Sequence, residues 1–138
     1  MKIEIWSDFV CPFCYIGKRL LDQALDSFEH KEQVDVIYKS YELHPDVKSD
    51  ESVSVHEMLA KKMGVSTEKA VSMNNQVREH AASVGLQYQF DSMKQTNTLD
   101  AHRLLKYAET VGKASVYTER LFRAHFTESE FIGSHKTL

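Results

Sequence analysis

Apolar positions along the chain follow first the two-residue period of a strand, then the three- and four-residue steps of helices. Residues 2–7 set Ile3 and Ile5 against Lys2 and Glu4, which predicts a short strand. From Phe13 the apolar residues recur at Ile16, Leu20, Ala24 and Phe28, with Leu21 and Leu25 alongside. Those steps predict a helix over 12–30 that buries one stripe. Pro12 suits its first turn, where the missing N–H has no intrahelical partner in any case. Residues 34–43 predict a second strand, with Val34, Val36 and Tyr38 on one face and Ile37, Tyr41 and Leu43 on the other. Apolar residues on both faces predict cover on both sides. His44-Pro45 ends the run. Strand, crossover helix and strand form a βαβ unit with parallel strands.

After a polar stretch at 46–54, expected to be a surface loop, the pattern is helical. Val55, Met58, Leu59 and Met63 predict a short helix closed by Gly64. Ser66 or Thr67 caps a longer one with Ala70, Met73, Val77, Ala81 and Val84 inward and Gly85 after it. Residues 88–93 read as irregular or briefly extended. Asn97 or Thr98 opens a helix with Ala101, Leu104, Leu105, Ala108 and Val111 inward, and a last helix covers 114–126. Residues 133–138 resemble a turn and cap opening a further helix, so the chain reads as stopping within an architecture. The expected class is α/β: a βαβ part at 1–46 and an α-helical part at 47–138. Two strands alone make a marginal sheet, which predicts exposed apolar edges or a homodimer.

The chain has 138 residues, 42% hydrophobic and 27% charged, values of one globular domain and not of a disordered chain. Seventeen basic and 20 acidic residues give a net charge of −3 without a long run of one sign. That balance argues against a nucleic-acid or anionic-membrane surface as the main business of the chain. No apolar segment of signal-peptide or membrane-spanning length follows Met1 and Lys2, and a cytoplasmic location is the expectation.

The only two cysteines, Cys11 and Cys14, flank Pro12 and Phe13 at the predicted strand-to-helix junction. A structural bridge there would close too small a loop to constrain the unfolded chain. In a reducing compartment such a pair is catalytic or metal-binding more often than structural. A thiol exchanges only as its thiolate, and the helix N-terminus favours the anion with unpaired N–H groups and its dipole. Cys11 is thus the expected nucleophile and Cys14, one turn on, the resolving thiol. Phe13 adds neither charge nor polar donor, and Asp8 would weakly oppose ionisation if it pointed inward. Both predict a disulfide less oxidising than one with histidine between the cysteines.

Other readings stand beside this one. The cysteines could be small buried hydrophobes, or half of a zinc site in a helical binding module. Zinc needs four ligands, and the seven histidines show no His-x₃₋₅-His pair, so no metal is expected. Trp6, Phe9, Phe13 and Tyr15 could form an apolar rim for unfolded polypeptide or pack beneath the helix. His102 could approach the thiols or be a hydrogen-bonded, partly buried helix histidine.

The segment WSDFVCPFCYIG at 6–17 resembles the N-terminal part of DsbA-like proteins of the thioredoxin superfamily, nearest the FrnE-type thiol oxidoreductases. YELHPD at 41–46 and NTLDAHRLLKYAETVG at 97–112 are similar to further stretches of that family. The resemblance implies a thioredoxin-like fold carrying a helical insertion, with the C-terminal half of that fold missing here. It also implies dithiol–disulfide exchange on protein or peptide thiols and disulfides, with Cys11 and Cys14 as the catalytic pair and Pro12 and Phe13 as the tuning dipeptide. No cofactor beyond the redox-active cysteines is implied. The related glutathione transferase kappa and hydroxychromene-carboxylate isomerase branch uses serine in the motif, so two cysteines favour redox chemistry. Glutathione is an alternative cosubstrate. Asn97 and His102 fall where the family faces its substrate cleft, joining Trp6 and Phe9 as candidate substrate contacts. Two departures stand out: Pro12 and Pro45 are the only prolines, so the cis-proline loop is absent, and Ile5 occupies the position of a buried acid.

Overall fold

A computed structural model describes all residues, 1–138. Strand β1 (Lys2–Ser7) and strand β2 (Asp35–Ser40) pair in parallel, from Lys2 opposite Asp35 to Ser7 opposite Ser40. Helix α1 (Pro12–Asp26) makes the crossover that a parallel pair requires. It ends four residues before the expected boundary. The Ser27 hydroxyl turns back onto the carbonyls of Ala24 (3.0 Å) and Gln23 (3.4 Å), and a 3₁₀ turn at Lys31–Gln33 leads into β2.

Three expectations about this half are corrected. Of the stripe Phe13, Ile16, Leu20, Ala24 and Phe28 only Ile16 is buried, and α1 covers Tyr15 and Lys18 beside it while the other four are exposed. The helical part reaches only the first turns of α1, so those positions decide which face is covered. Val36, Ile37 and Tyr38 are half-buried, so β2 is not sealed on both faces. The stretch 46–54 is not all loop: strand β3 (Asp50–Ser54) pairs antiparallel, through a bulge, with strand β4 (Lys94–Gln95). The sequence DESVS carries no alternation of its own. It is extended because a partner some forty residues away supplies the ladder.

Helices α2 (Val55–Met63), α3 (Thr67–Ser83), α4 (Leu99–Thr110) and α5 (Ala114–Phe126) lie where the periodicity puts them. Ser54 and Glu57 form a reciprocal capping box on α2, and Gly64, at φ 65°, closes that helix in a conformation side chains disfavour. Ser66 caps α3 through Lys69 N–H (3.1 Å). At α4, Thr98 holds the cap position but spends its hydroxyl elsewhere, and the Asn97 side chain accepts from Leu99 N–H (3.0 Å). Val111, expected inward, lies beyond the last turn of α4 and is exposed.

One core draws on both sides of the expected 46/47 division. Tyr15 of α1 stacks on Phe122 (centroids 5.0 Å), Phe9 tilts against Phe122 (5.4 Å), and Tyr88 stacks on Phe126 (4.6 Å). Glu119 of α5 accepts from Tyr15 (2.9 Å), Arg19 (2.7 Å) and Lys18 (3.0 Å), clasping α1 to the helical part. The architecture is the expected mixed α/β one, a thioredoxin-like βαβ unit with helices packed against its site end.

Candidate active site

Cys11 is the N-cap of α1, in extended conformation (φ −85°, ψ 109°), and Pro12 follows as the first helical residue. A tight turn precedes it, Cys11 N–H donating to Asp8 C=O (3.2 Å), and Cys14 N–H donates to Cys11 C=O (3.1 Å). Tyr88 fixes this helix end to the core by donating to Pro12 C=O (2.6 Å). Both thiols are free and half-buried.

The two neighbouring thiols titrate as a pair. Cys14 is drawn down to about 6, first by the adjacent Cys11 thiol; burial opposes this, while the backbone N–H of Asp8 assists. Cys11 is pushed up by the adjacent Cys14 and because it is buried, despite donation from the N–H groups of Phe13 and Cys14. The pair therefore shares one charge, with Cys14 drawn down and Cys11 pushed up. Helix-end reasoning favours the thiolate at Cys11; the neighbouring thiol and the Asp8 N–H favour it at Cys14. The first proton should accordingly leave at a pH well below that of an ordinary thiol, roughly 8.5. Iodoacetamide trapping of the wild-type pair is expected to rise through about pH 6. In Cys14→Ser the influence of the second thiol is gone, and the Cys11 midpoint should fall back toward the ordinary value.

Asp8 lies beneath this centre. Its buried carboxylate accepts from Thr98 Oγ1 (2.7 Å), Leu43 N–H (2.8 Å) and His102 Nε2 (3.0 Å). Burial disfavours its charge, but the bonds from His102, Leu43 and Thr98 outweigh that and hold the carboxyl below its usual range. Its charge weakly opposes ionisation of Cys14. A buried acid is thus present near the cysteines although Ile5 stands at the position where the family resemblance leads one to look for it.

The other candidates separate. Phe9, 2% exposed, is core, with its ring 5.0 Å from that of His102. His102 is the buried, hydrogen-bonded helix histidine of the two readings. Asn97 ties the 45–49 segment to α4, its side chain donating to Val47 C=O (2.9 Å) and its backbone N–H donating to Ser49 Oγ (2.9 Å). Trp6, 62% exposed, stands on the sheet, and Phe13, 57% exposed, projects beside the motif. No group of three or more His, Cys, Asp or Glu side chains gathers in a metal-holding arrangement, so the thiols have no further zinc-type ligands beside them.

Cys11, and not Cys14, borders a cavity of about 400 Å³ between the motif and the helical part. Met58 and Leu59 of α2, Met73 and Val77 of α3, and Met93 and Phe126 give it an apolar lining. Met73, expected inward, faces this space, while Val77 lines it and also packs against the core as expected. Lys62, exposed at the rim, shares a hydrogen bond with His44 (3.2 Å). His125 also lines the cavity, and nothing in the sequence pattern separated it from the other six histidines.

A Cys-x-x-Cys pair capping the helix after β1, with a helical part over its open side, defines a thioredoxin-type dithiol centre. The chain matches the DSBA-like thioredoxin domain over residues 2–138 and belongs to that family. A crystal structure of a probable DsbA oxidoreductase from Streptomyces coelicolor superposes with a TM-score of 0.87 at 33% identity, over 96% of this chain and 56% of that one. YwbO, an uncharacterized protein of Bacillus subtilis (strain 168), is 26% identical over 134 residues, which are 96% of this chain and 60% of the relative. The chain thus spans somewhat over half the length of these proteins.

Proposed function

We propose that this chain carries the substrate-facing dithiol of a thiol–disulfide oxidoreductase acting on protein or peptide disulfides. The observation that carries the reading is the division of labour between the sulfurs: Cys11 opens on the apolar cavity, and Cys14, the thiol drawn down in pKa, sits behind it.

The Cys14 thiolate takes the Cys11 proton, and Cys11 attacks one sulfur of a substrate disulfide. The substrate S–S bond breaks, a mixed disulfide forms at Cys11, and the leaving thiolate is protonated from solvent. Cys14 then loses its proton and attacks the Cys11 sulfur. The second substrate thiol departs and the Cys11–Cys14 disulfide remains. Two electrons pass to the substrate, and the reverse sequence oxidises it. A small thiol such as glutathione serves as the recycling cosubstrate.

Cys14→Ser removes the resolving step and should accumulate mixed disulfides through Cys11, detected as a mass increase lost on reduction. The reading fails if Cys14→Ser accumulates none with any disulfide peptide that wild type turns over.

A further inference from the structure

His125 is 3% exposed, packs edge-on against Phe126 (centroids 4.7 Å), and lines the cavity beside Cys11. Burial pushes it down to about 4, only partly opposed by the Asp8 charge, and no hydrogen bond to the protein contributes. It is therefore a neutral imidazole with an unused donor and acceptor. Of the other buried polar groups of the lining, only the Asn74 Oδ1 is without a protein partner. Thr96 Oγ1 donates to Lys94 C=O (2.9 Å), and the Asn74 amide is bonded to His56 (2.9 Å). A buried polar group with no protein partner costs free energy unless a ligand supplies one.

The remaining lining is mostly thioether and hydrocarbon, with His44 and Lys94 half-buried and Lys62 and Gln76 exposed. Three methionines, Met58, Met73 and Met93, surround the space, and flexible sulfur side chains pack well on aromatic rings. A volume of about 400 Å³ lies at the small end of ligand pockets. At His125 itself a charged head would lose its hydration without gaining a counter-charge, because the imidazole is neutral, whereas an uncharged hydroxyl would satisfy it. Lys62 and Lys94 are the cations an anionic head would have to reach instead.

We propose that the cavity beside Cys11 receives a phenolic group, a hydroxyl-bearing aromatic ring next to the reacting disulfide, and that His125 is the binding residue that reads its hydroxyl. The placement next to the reacting sulfur rests on the exchange function proposed above; the recognition of the phenol does not.

The test has two arms. In the Cys11→Ser/Cys14→Ser chain, NMR titration compares p-cresol, toluene and p-toluate. One satisfied hydrogen bond favours p-cresol over toluene by at least about fivefold, with p-toluate weaker than p-cresol. His125→Phe brings p-cresol and toluene to parity, and His125→Gln, a neutral hydrogen-bonding replacement, keeps part of the preference. In the wild-type chain, exchange rates are compared for cystine peptides carrying Tyr, Phe or Glu beside the cysteine. A Tyr-over-Phe preference that His125→Phe abolishes assigns the site to peptide tyrosines. Preference for p-cresol without one for Tyr assigns it to small phenolic disulfides. Equal binding of p-cresol and toluene, tightest binding of p-toluate, or a p-cresol preference unchanged in His125→Phe overturns the proposal. If the first arm succeeds and no peptide exchanges, the phenol site stands and the exchange function falls.

Discussion

Cys11→Ser is expected to lower the rate of disulfide exchange by at least about a thousandfold, because a hydroxyl at neutral pH is a far weaker nucleophile than a thiolate. Cys14 cannot stand in for it. That sulfur is the one drawn down in pKa, but it is absent from the cavity wall and lies among Cys11, Ser7 and Asp8. With a small aromatic disulfide reagent, wild type should release both reagent thiols, Cys14→Ser only the first, and Cys11→Ser neither above background. Turnover in Cys11→Ser would show that Cys14 reaches substrate directly and would reverse the roles. The comparison separates low pKa from accessibility, which the geometry assigns to different sulfurs.

Asp8→Ala has the largest expected effect on stability, a loss of about 3–5 kcal/mol, because three donors to a buried carboxylate lose their acceptor at about 1–3 kcal/mol each. Leu43 N–H, the Thr98 hydroxyl and His102 Nε2 all point at this carboxylate and would face a void. The difference should depend on pH with a defined sign. The folded carboxyl lies below its ordinary value, so its contribution is complete above the unfolded value, near 3.9, and disappears as pH falls through the folded value. Urea unfolding should therefore give a wild-type advantage that is level above about pH 5 and shrinks below about pH 4. A constant advantage down to pH 2 would mean the bonds do not depend on the charge.

The parts legible in the sequence are those written locally. Cys11 and Cys14 are three residues apart, Gly64 directly follows the short helix it closes, and α2 to α5 repeat their apolar residues every turn. The parallel β1–β2 pair followed from a crossover of helical length. What the sequence did not disclose is set by distant partners. Asp8 and His102 lie 94 positions apart, and nothing near either announces the other. Tyr88, placed in an irregular stretch, holds the active-site helix through Pro12, 76 positions away. The covered face of α1 was misjudged for the same reason. Periodicity identifies an apolar stripe, of which Ile16 is buried, but Phe122 and Glu119 on α5 add Tyr15 and Lys18 to the covered side and leave the rest of the stripe exposed. The location of the thiolate also turned on contacts outside the motif.

Phe13 now has a smaller role than its position between the cysteines suggested. Its ring is mostly in solvent, so it leaves the sulfurs to the Asp8 N–H and to each other. The expectation of a moderate potential rests instead on the Asp8 charge, which works against the Cys14 thiolate, set against the Cys11 thiol and the Asp8 N–H that favour it.

The most direct measurement of the central claim is a redox titration of the chain in glutathione buffers, with the state of each cysteine read by mass spectrometry after acid quenching and alkylation. The account predicts a reversible, two-electron transition in which Cys11 and Cys14 join each other and no glutathione is retained. Cys14→Ser should hold glutathione on Cys11 in the same buffers. Cysteines that stay reduced across the whole range, or glutathione found on Cys14 in wild type, would contradict it.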